Sequence, residues 1–359
     1  MKTMRIGIAG CGKVAHLHAR ALRQSDQADL TAVWSRSWQS ADRFASDYDT
    51  KAYSDVAEMV EKAALDAVII CTPHPFHAGP AEAAIRSGAH VLVEKPLASS
   101  LEDCDRILSA ASGSGRKIGV VSQRRWYPGV RRMKAAIDAG KIGDPVLGTV
   151  QMLGWRDRAY YEADVWRGTW GEEGGGVLVN QAPHQLDLLL WMMGEVEELV
   201  GVWDNLNHPY IEVDDTALAL IRFKNGGLGQ VLVSNSQKPG IYGKVHVHGR
   251  NGASVGVQTE SGVMFIAGLT GIPDPPLLDL WTVPGEEELL DPWNREDVDY
   301  FSGVDPTVHF IGLQIADFLE AIGGLGQPEV TGYDGRRVVE LFTAIYLSRQ
   351  NRGWVRFPL

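Results

Sequence analysis

Positive charge is the first thing this chain has little of. Its 359 residues carry 34 Lys and Arg against 45 Asp and Glu, a formal net charge of −11. A nucleic-acid surface needs clustered cations to replace counterions, so the composition argues against that class of partner. Cysteine is equally sparse. Cys11, Cys71 and Cys104 are the only three, an odd number with no C-x-x-C spacing. That argues against a disulfide framework and against a cysteine zinc site. Long apolar runs are absent as well: no stretch reaches about 18 residues, and no basic segment followed by such a run opens the chain. The expectation is no membrane partner, no signal peptide and a cytoplasmic location. Neither a fixed-period repeat nor a low-complexity segment is present. What the chain does have is 45% hydrophobic residues, enough for a sizeable core and two domains.

The stretch around which the rest is organised is Met4-Arg5-Ile6-Gly7-Ile8-Ala9-Gly10-Cys11-Gly12-Lys13-Val14-Ala15. A short apolar strand leads into a Gly-x-Gly turn and then a helical run to Arg23. This is the G-x-G-x-x-A form of the dinucleotide fingerprint. Gly10 permits the tight turn, Gly12 lets backbone approach a pyrophosphate, and Ala15 lets the helix pack closely on the strand. The N–H groups at Lys13 and Val14 and the positive end of the helix dipole would face the phosphates.

Further strands follow at Asp29–Trp34, Asp66–Cys71, His90–Val93 and Lys117–Ser122. Helices are expected between them at Ser37–Tyr48, at Asp55–Lys62 with Ser54 as cap, at His77–Gly88, and from a Ser99 cap to about Ser112. That alternation predicts a doubly wound parallel sheet, with ligands at the carboxyl ends of its strands. Gly10, Ser35, Thr72-Pro73, Glu94-Lys95-Pro96 and Gln123-Arg124 all fall at such ends. An NAD site places an Asp or Glu about 20 residues past the glycines, where it binds the ribose hydroxyls. Here Ser35 and Arg36 stand instead. A hydroxyl and a guanidinium suit a 2′-phosphate that a carboxylate would repel, so NADP is favoured with NAD left open.

From Pro145 the pattern changes to strands at Val146–Trp155, Glu198–Asn205, Thr216–Phe223, Leu228–Ser234 and Lys244–Gly249. Asn225-Gly226 and Asn251-Gly252 are hairpin turns. The expectation is an α+β domain with a large, open, mostly antiparallel sheet, one face carrying helices and the other meeting a second subunit in a homodimer or homotetramer. Asp291–Asp305 reads as an irregular loop, and Thr307–Ile322 and Asp334–Arg349 as helices. The domains expected are 1–123 for the dinucleotide and 124–359 for substrate and oligomerisation, the helix at about 334–350 returning toward the first.

Gly10-Cys11-Gly12, Cys71-Thr72-Pro73 with His77, and Glu94-Lys95-Pro96 together resemble the glucose–fructose oxidoreductase, inositol dehydrogenase and MocA-like (Gfo/Idh/MocA) family. The segment Thr331-Gly332-Tyr333-Asp334-Gly335-Arg336-Arg337 and the helix after it resemble that family's ending. The resemblance implies an N-terminal Rossmann domain, a nicotinamide cofactor touching Thr72, Pro73, His77, Glu94 and Lys95, and a cis bond before Pro96. It also places a G-G-G…D-x-x-x-H element beside the substrate. Gly174-Gly175-Gly176 and His184 match that element, but Asn180 stands where the acid is commonest. Asn180 cannot take a proton, though it can orient a hydroxyl. His309 falls where the resemblance puts a residue near the substrate.

Oxidising a secondary alcohol removes a hydride and a proton, and the protein must supply a base. Histidine titrates in the right range, and lysine does so once its pKa is lowered. Lys95 is therefore expected to bond the reacting oxygen and His184 to exchange the proton. Two duller readings compete: an ion pair of Lys95 with Glu94, and a buried, satisfied His184. Trp155, Tyr160, Tyr161, Trp166 and Trp170, interleaved with Arg156, Arg158 and Arg167, suit a sugar or polyol, with Tyr161 and Trp166 as candidate contacts. Core or subunit-interface packing explains them equally well. His16 and His18 read as structural. His246 and His248 share a strand face but lack a third ligand, so no metal is expected. Two other functions stay open: a redox-neutral enzyme that oxidises its substrate transiently, and a non-catalytic nucleotide-binding regulator.

Overall fold

The computed structural model describes residues 3–259 and 274–359. The chain divides into two compact units, Met1–Gln123 with Val308–Val339, and Arg124–Thr307 with Glu340–Leu359.

The first unit alternates strand and helix: β1 (Met4–Ala9), α1 (Lys13–Arg23), β2 (Ala28–Trp34), α2 (Trp38–Asp47), β3 (Lys51–Tyr53), α3 (Val56–Lys62), β4 (Ala67–Ile70), α4 (Ala78–Arg86), β5 (His90–Val93), α5 (Leu101–Ala111) and β6 (Ile118–Val120). The strands lie in the order β3-β2-β1-β4-β5-β6, and every pairing is parallel. Strands buried on both faces must be apolar throughout, as Ala67-Val68-Ile69-Ile70 is. In α1 the buried residues Ala15, Ala19 and Leu22 recur at helical spacing, giving one apolar stripe. That stripe shares a core with Ile6, Ile8 and Val33, and with Val308, Ile311, Ile315 and Phe318 from far along the sequence.

The second unit contains α6 (Pro128–Asp138), β7 (Pro145–Leu153), α7 (Arg158–Glu162), α8 (Val177–Asn180), α9 (Pro183–Met193), β8 (Val196–Asp204), β9 (Thr216–Phe223), β10 (Leu228–Ser234), β11 (Tyr242–Gly249), β12 (Ser254–Gln258), β13 (Leu278–Trp281) and α10 (Leu290–Ser302). After α11 (Pro306–Ile322) and α12 (Gly332–Asn351), β14 (Val355–Arg356) ends the series. The eight-stranded sheet runs β13-β12-β11-β7-β10-β9-β8-β14. Among the described residues of this sheet, β7 and β10 are the one parallel pair. β9 alternates cleanly, with Ala217, Ala219, Ile221 and Phe223 buried and Leu218 and Leu220 exposed. α9 is apolar on nearly every side and correspondingly buried.

The structure departs from the sequence expectations at several points. Residues 290–302 form a helix rather than a loop. Pro292 lies in its first turn, where a missing N–H is tolerated. Packing of Trp293 on Trp281 and an ion pair from Asp297 to Arg132 hold the helix in place. The cap of α3 is Asp55 and not Ser54, because the Asp55 carboxylate accepts from Glu58 N–H. The cap of α5 is Ser100 and not Ser99, accepting from Asp103 N–H. Strands β3, β12, β13 and β14, each of five residues or fewer, were not anticipated.

Candidate active site

In the first unit, the glycine turn joins β1 to α1. Gly10 has φ +103, and a Cβ there would lie 2.6 Å from the backbone of Cys71 and Thr72. Its N–H donates to Trp34 O at 2.7 Å, tying the ends of β1 and β2 together. A Cβ on Gly12 would meet nothing within 4 Å, so space is open beside the helix start. Gly12 caps α1 with no side-chain hydrogen bond, and no acidic residue occupies the first turn at Lys13 and Val14. A bare helix N-terminus beside open space fits a pyrophosphate.

The remaining first-unit candidates follow the carboxyl ends of the same sheet: Ser35 and Arg36 after β2, Thr72 and Pro73 after β4, Glu94 and Lys95 after β5, Gln123 after β6. The Arg36 guanidinium lies 4.3 Å over the Phe76 ring. No carboxylate takes the place of Ser35 or Arg36. His77 is wholly buried. Its Nδ1 is 3.0 Å from Pro96 O and its Nε2 2.8 Å from Thr72 O. Carbonyls on both sides favour the charged ring, but burial is the larger effect and pushes the pKa down. The side chain therefore fastens the Thr72 and Pro96 turns to each other. The Lys95–Pro96 peptide is cis.

Glu94 is fixed by a residue that sequence reasoning passed over as structural. His18 Nε2 lies 2.7 Å from Glu94 Oε1, and His18 is fully buried. Burial alone would raise the Glu94 pKa, but the His18 hydrogen bond and the charges of His18 and Lys95 bring it below its usual value. Glu94 Oε2 also accepts from the Lys95 N–H at 3.1 Å. The ionised carboxylate thus holds the backbone of the lysine it precedes, while the Lys95 side chain stays half-exposed. His309 is on α11, its ring against Phe310, with burial lowering its pKa.

In the second unit, the glycine run feeds α8. A Cβ on Gly176 would come within 1.8 Å of Asp214 O, so only glycine fits. The buried Asp214 carboxylate accepts from Gly176 N–H (2.7 Å), Leu178 N–H (3.1 Å) and the Tyr346 hydroxyl (2.7 Å). Asn180 ends α8, and α9 starts at Pro183. Asn180 and His184 therefore do not share one continuous helical turn, as their spacing allowed. Pro183 has no N–H to continue the ladder, and Ala182 N–H instead returns to Val177 O at 2.9 Å. His184, in the first turn of α9, is 7% exposed. Three residues on, Asp187 is committed elsewhere: it holds Arg125 in a buried two-point pair at 2.6 and 2.8 Å.

Asn180 and its surroundings form a network. Its Nδ2 donates to Glu173 Oε1 (2.5 Å) and to the Tyr160 hydroxyl (3.2 Å). Gln181 Nε2 donates to the same hydroxyl at 2.9 Å, and Asn235 Nδ2 to Gln181 Oε1 at 3.0 Å. Glu173 also accepts from Gly168 N–H at 2.6 Å. Burial pushes the Glu173 pKa up to about 7. Tyr161 is buried in an aromatic cluster with Tyr160, His208 and Tyr210, and Trp166 stands 5.1 Å from the Arg167 guanidinium. Arg124 belongs to this unit too. Glu173 and Tyr160 carry no motif spacing. The one hint in the sequence is an acid seven residues before Asn180.

Among the described residues, no three His, Cys, Asp or Glu gather so as to hold a metal ion, and no helix is long and apolar enough to cross a membrane. His246 bonds Asp279 at 2.9 Å and His248 bonds Ser254 at 2.8 Å.

The parallel sheet with its glycine turn and bare helix start defines a dinucleotide-binding enzyme domain. A family model described as an oxidoreductase family with an NAD-binding Rossmann fold matches residues 4–122, and a GFO/IDH/MocA C-terminal domain matches residues 130–255. The chain belongs to the Gfo/Idh/MocA family of NAD-binding oxidoreductases. Among its relatives, a 1-carboxy-3-chloro-3,4-dihydroxycyclohexa-1,5-diene dehydrogenase of Comamonas testosteroni is 33% identical over 64% of this chain, which spans 58% of that relative's length. The myo-inositol 2-dehydrogenase of Thermotoga maritima is 31% identical over 69% of this chain and 74% of its own. A solved structure of the WlbA dehydrogenase of Bordetella pertussis, in complex with NADH and UDP-GlcNAcA, superposes with a TM-score of 0.87 at 27% identity, covering 99% of this chain and 98% of that one.

Proposed function

We propose that this oxidoreductase moves a hydride between NADP, with NAD as the weaker alternative, and a secondary alcohol on a hydroxylated ring of the sugar or cyclitol class. The observation that carries the reading is the placement of Lys95, on a backbone fixed by Glu94 and His18, at the same carboxyl end of the parallel strands as the glycine turn. The relatives support the ring class: inositol 2-dehydrogenases, a 1,5-anhydro-D-fructose reductase, and the WlbA structure with its sugar nucleotide.

Gly10, Gly12, Lys13 and Val14 would hold the pyrophosphate, Ser35 and Arg36 the adenosine ribose and its 2′-phosphate, and Thr72, Pro73, Gln123 and Arg124 the remainder. When bound, the nicotinamide accepts or returns the hydride. Lys95 hydrogen-bonds the reacting oxygen, and His184 takes the proton in oxidation and gives it back in reduction. Asn180 orients a neighbouring hydroxyl. Tyr161, Trp166 and His309 are weaker candidates for the ring's surroundings. His77 contributes through the two turns it fastens.

The exposed face of the eight-stranded sheet carries Leu147, Val202, Leu218, Leu220 and Leu228, which the strand registers set on one side. A patch of that kind suits a second copy of the chain, and we assign the homodimer or homotetramer contact to it. The free thiols of Cys11, Cys71 and Cys104 suit the cytoplasm.

The test is a panel of myo-inositol, scyllo-inositol, D-glucose and D-glucuronate with NAD and NADP, read at the reduced-nicotinamide absorbance. The expected result is turnover of at least one ring alcohol, with kcat down about 10²- to 10⁴-fold in Lys95→Ala while the dinucleotide still binds. Full activity in that variant overturns the reading.

A further inference from the structure

We propose that Phe76 is a positioning residue for the choice of dinucleotide: its ring holds the Arg36 guanidinium over the end of β1 and so sharpens selection of a 2′-phosphate. The inference rests on the proposed role of Arg36 toward that phosphate. It adds the residue that aims the guanidinium.

The two side chains come from turns on either side of the glycine turn. In the sheet, β1 lies between β2 and β4. Arg36 stands two residues past the end of β2, and Phe76 closes the short turn His74–Phe76 after β4. Their contact therefore spans the carboxyl end of β1, where Gly10 begins the glycine turn. Two strands flanking a third stand about 10 Å apart, a gap that a long arginine side chain can cross. The Arg36 guanidinium comes to rest 4.3 Å from the centre of the Phe76 ring.

The partners differ in what fixes them. Phe76 sits on a supported turn. Its N–H donates to Pro73 O at 2.8 Å, and its carbonyl accepts from Thr72 Oγ1 at 2.9 Å. Buried His77, the next residue, ties that turn to Pro96 O. Arg36 is exposed. An exposed arginine samples many rotamers, and ordering it at the moment a phosphate binds costs entropy. A ring that already holds the guanidinium removes part of that cost. Stacking occupies a face of the group and leaves its N–H donors and its charge for phosphate oxygens. The helix that follows adds to the same field. Ser37 caps α2 by accepting from Ser40 N–H at 3.3 Å, and no acidic residue occupies the first turn. A ribose carrying only hydroxyls gains little from a placed guanidinium, so the effect of Phe76 is confined to NADP.

Binding without any alcohol present tests the assignment. Dissociation constants for NADP and for NAD are measured by calorimetry on wild type, Phe76→Leu, Phe76→Tyr, Arg36→Ala and the double variant F76L/R36A. Expected in F76L is an NADP dissociation constant about two- to fivefold higher, the size of an exposed cation–ring contact, with NAD unchanged. F76Y keeps a ring and should match wild type with both. The double variant should bind NADP no more weakly than R36A alone, since the ring acts only through the guanidinium.

Unchanged NADP binding in F76L overturns the proposal. So does an equal loss of NADP and NAD, which would mean that the ring meets the adenine directly, and so does a double variant whose losses add. Unchanged NAD binding also reports that the turn is intact. If F76L melts lower than wild type, Phe76→Met, which lacks a ring but keeps more of its volume, takes its place with the same expected outcomes. Arg36→Ala separates this failure from that of the underlying reading. If R36A weakens both dinucleotides equally or neither, Arg36 does not serve the 2′-phosphate. If R36A is selective for NADP and F76L is not, Arg36 serves the phosphate and Phe76 does not aim it.

Discussion

The two units build their functional surfaces from different materials. The first uses backbone: a glycine at φ +103, an open flank at Gly12, and a helix start with no capping side-chain hydrogen bond. The second uses side chains in a buried lattice, with Glu173, Asn180, Tyr160, Gln181 and Asn235 joined end to end. A backbone site tolerates almost any side chain that leaves the path of the chain alone. A side-chain lattice tolerates almost none, because each member fixes the donor or acceptor sense of the next.

Substitutions can break or sharpen that contrast. The largest effect is expected from Arg125 and Asp187, a two-point ion pair buried on both sides in the second unit. Replacing Arg125 by Met strands a buried carboxylate and should cost about 3–5 kcal/mol of stability, read by urea unfolding. A loss below about 1 kcal/mol would show that this unit depends less on its ion pair than the contrast requires.

Next comes pH. The Glu173 pKa is raised from 4.5 to about 7. Below pH 4.5 it is protonated in both the folded and the unfolded chain. Between 4.5 and 7 the unfolded chain releases this proton and the folded chain keeps it, so stability falls as pH rises and the loss is complete above 7. The loss is up to roughly 3 kcal/mol. E173Q lacks this contribution, so its stability relative to wild type should improve from pH 5 to pH 8. A flat difference would remove Glu173 from the lattice's electrostatics.

Gly10→Ala tests the backbone half. A Cβ at that φ, 2.6 Å from the Thr72 backbone, should cost about 1–3 kcal/mol, felt as weaker dinucleotide affinity by calorimetry. Arg36→Ala is expected to be the mildest. It should lower kcat/KM with NADP about tenfold and leave NAD within about twofold, since one charge-assisted contact is at stake. Equal losses with both cofactors would mean that Arg36 serves the adenine side in general.

Legibility in the sequence divides the same way. Gly10 and Gly12 announce the nucleotide turn because a backbone conformation dictates residue type and spacing at once. Strands β9 and β10 match at both ends, since alternation and the Asn225-Gly226 turn bracket them. The misplaced caps at Ser54 and Ser99 each sit one residue before a second capable side chain. Only the bond to the third helical N–H decides between them. Residues 290–302 hid their helix because its apolar contacts are few and Pro292 mimics a break. Glu173 was invisible for a different reason: nothing in the spacing of an acid and an amide says that a fold will press them together in the dark.

The core of the first unit is closed by α11, whose Val308, Ile311, Ile315 and Phe318 join Ile6, Ile8 and Val33. Synthesis proceeds from the N-terminus, so the glycine turn leaves the ribosome long before the residues that seal the sheet beneath it. A sheet formed in that interval would leave Ile6, Ile8 and Val33 without the apolar partners that α11 later supplies. A fragment ending at Gln123 would carry the nucleotide fingerprint permanently in that unfinished state.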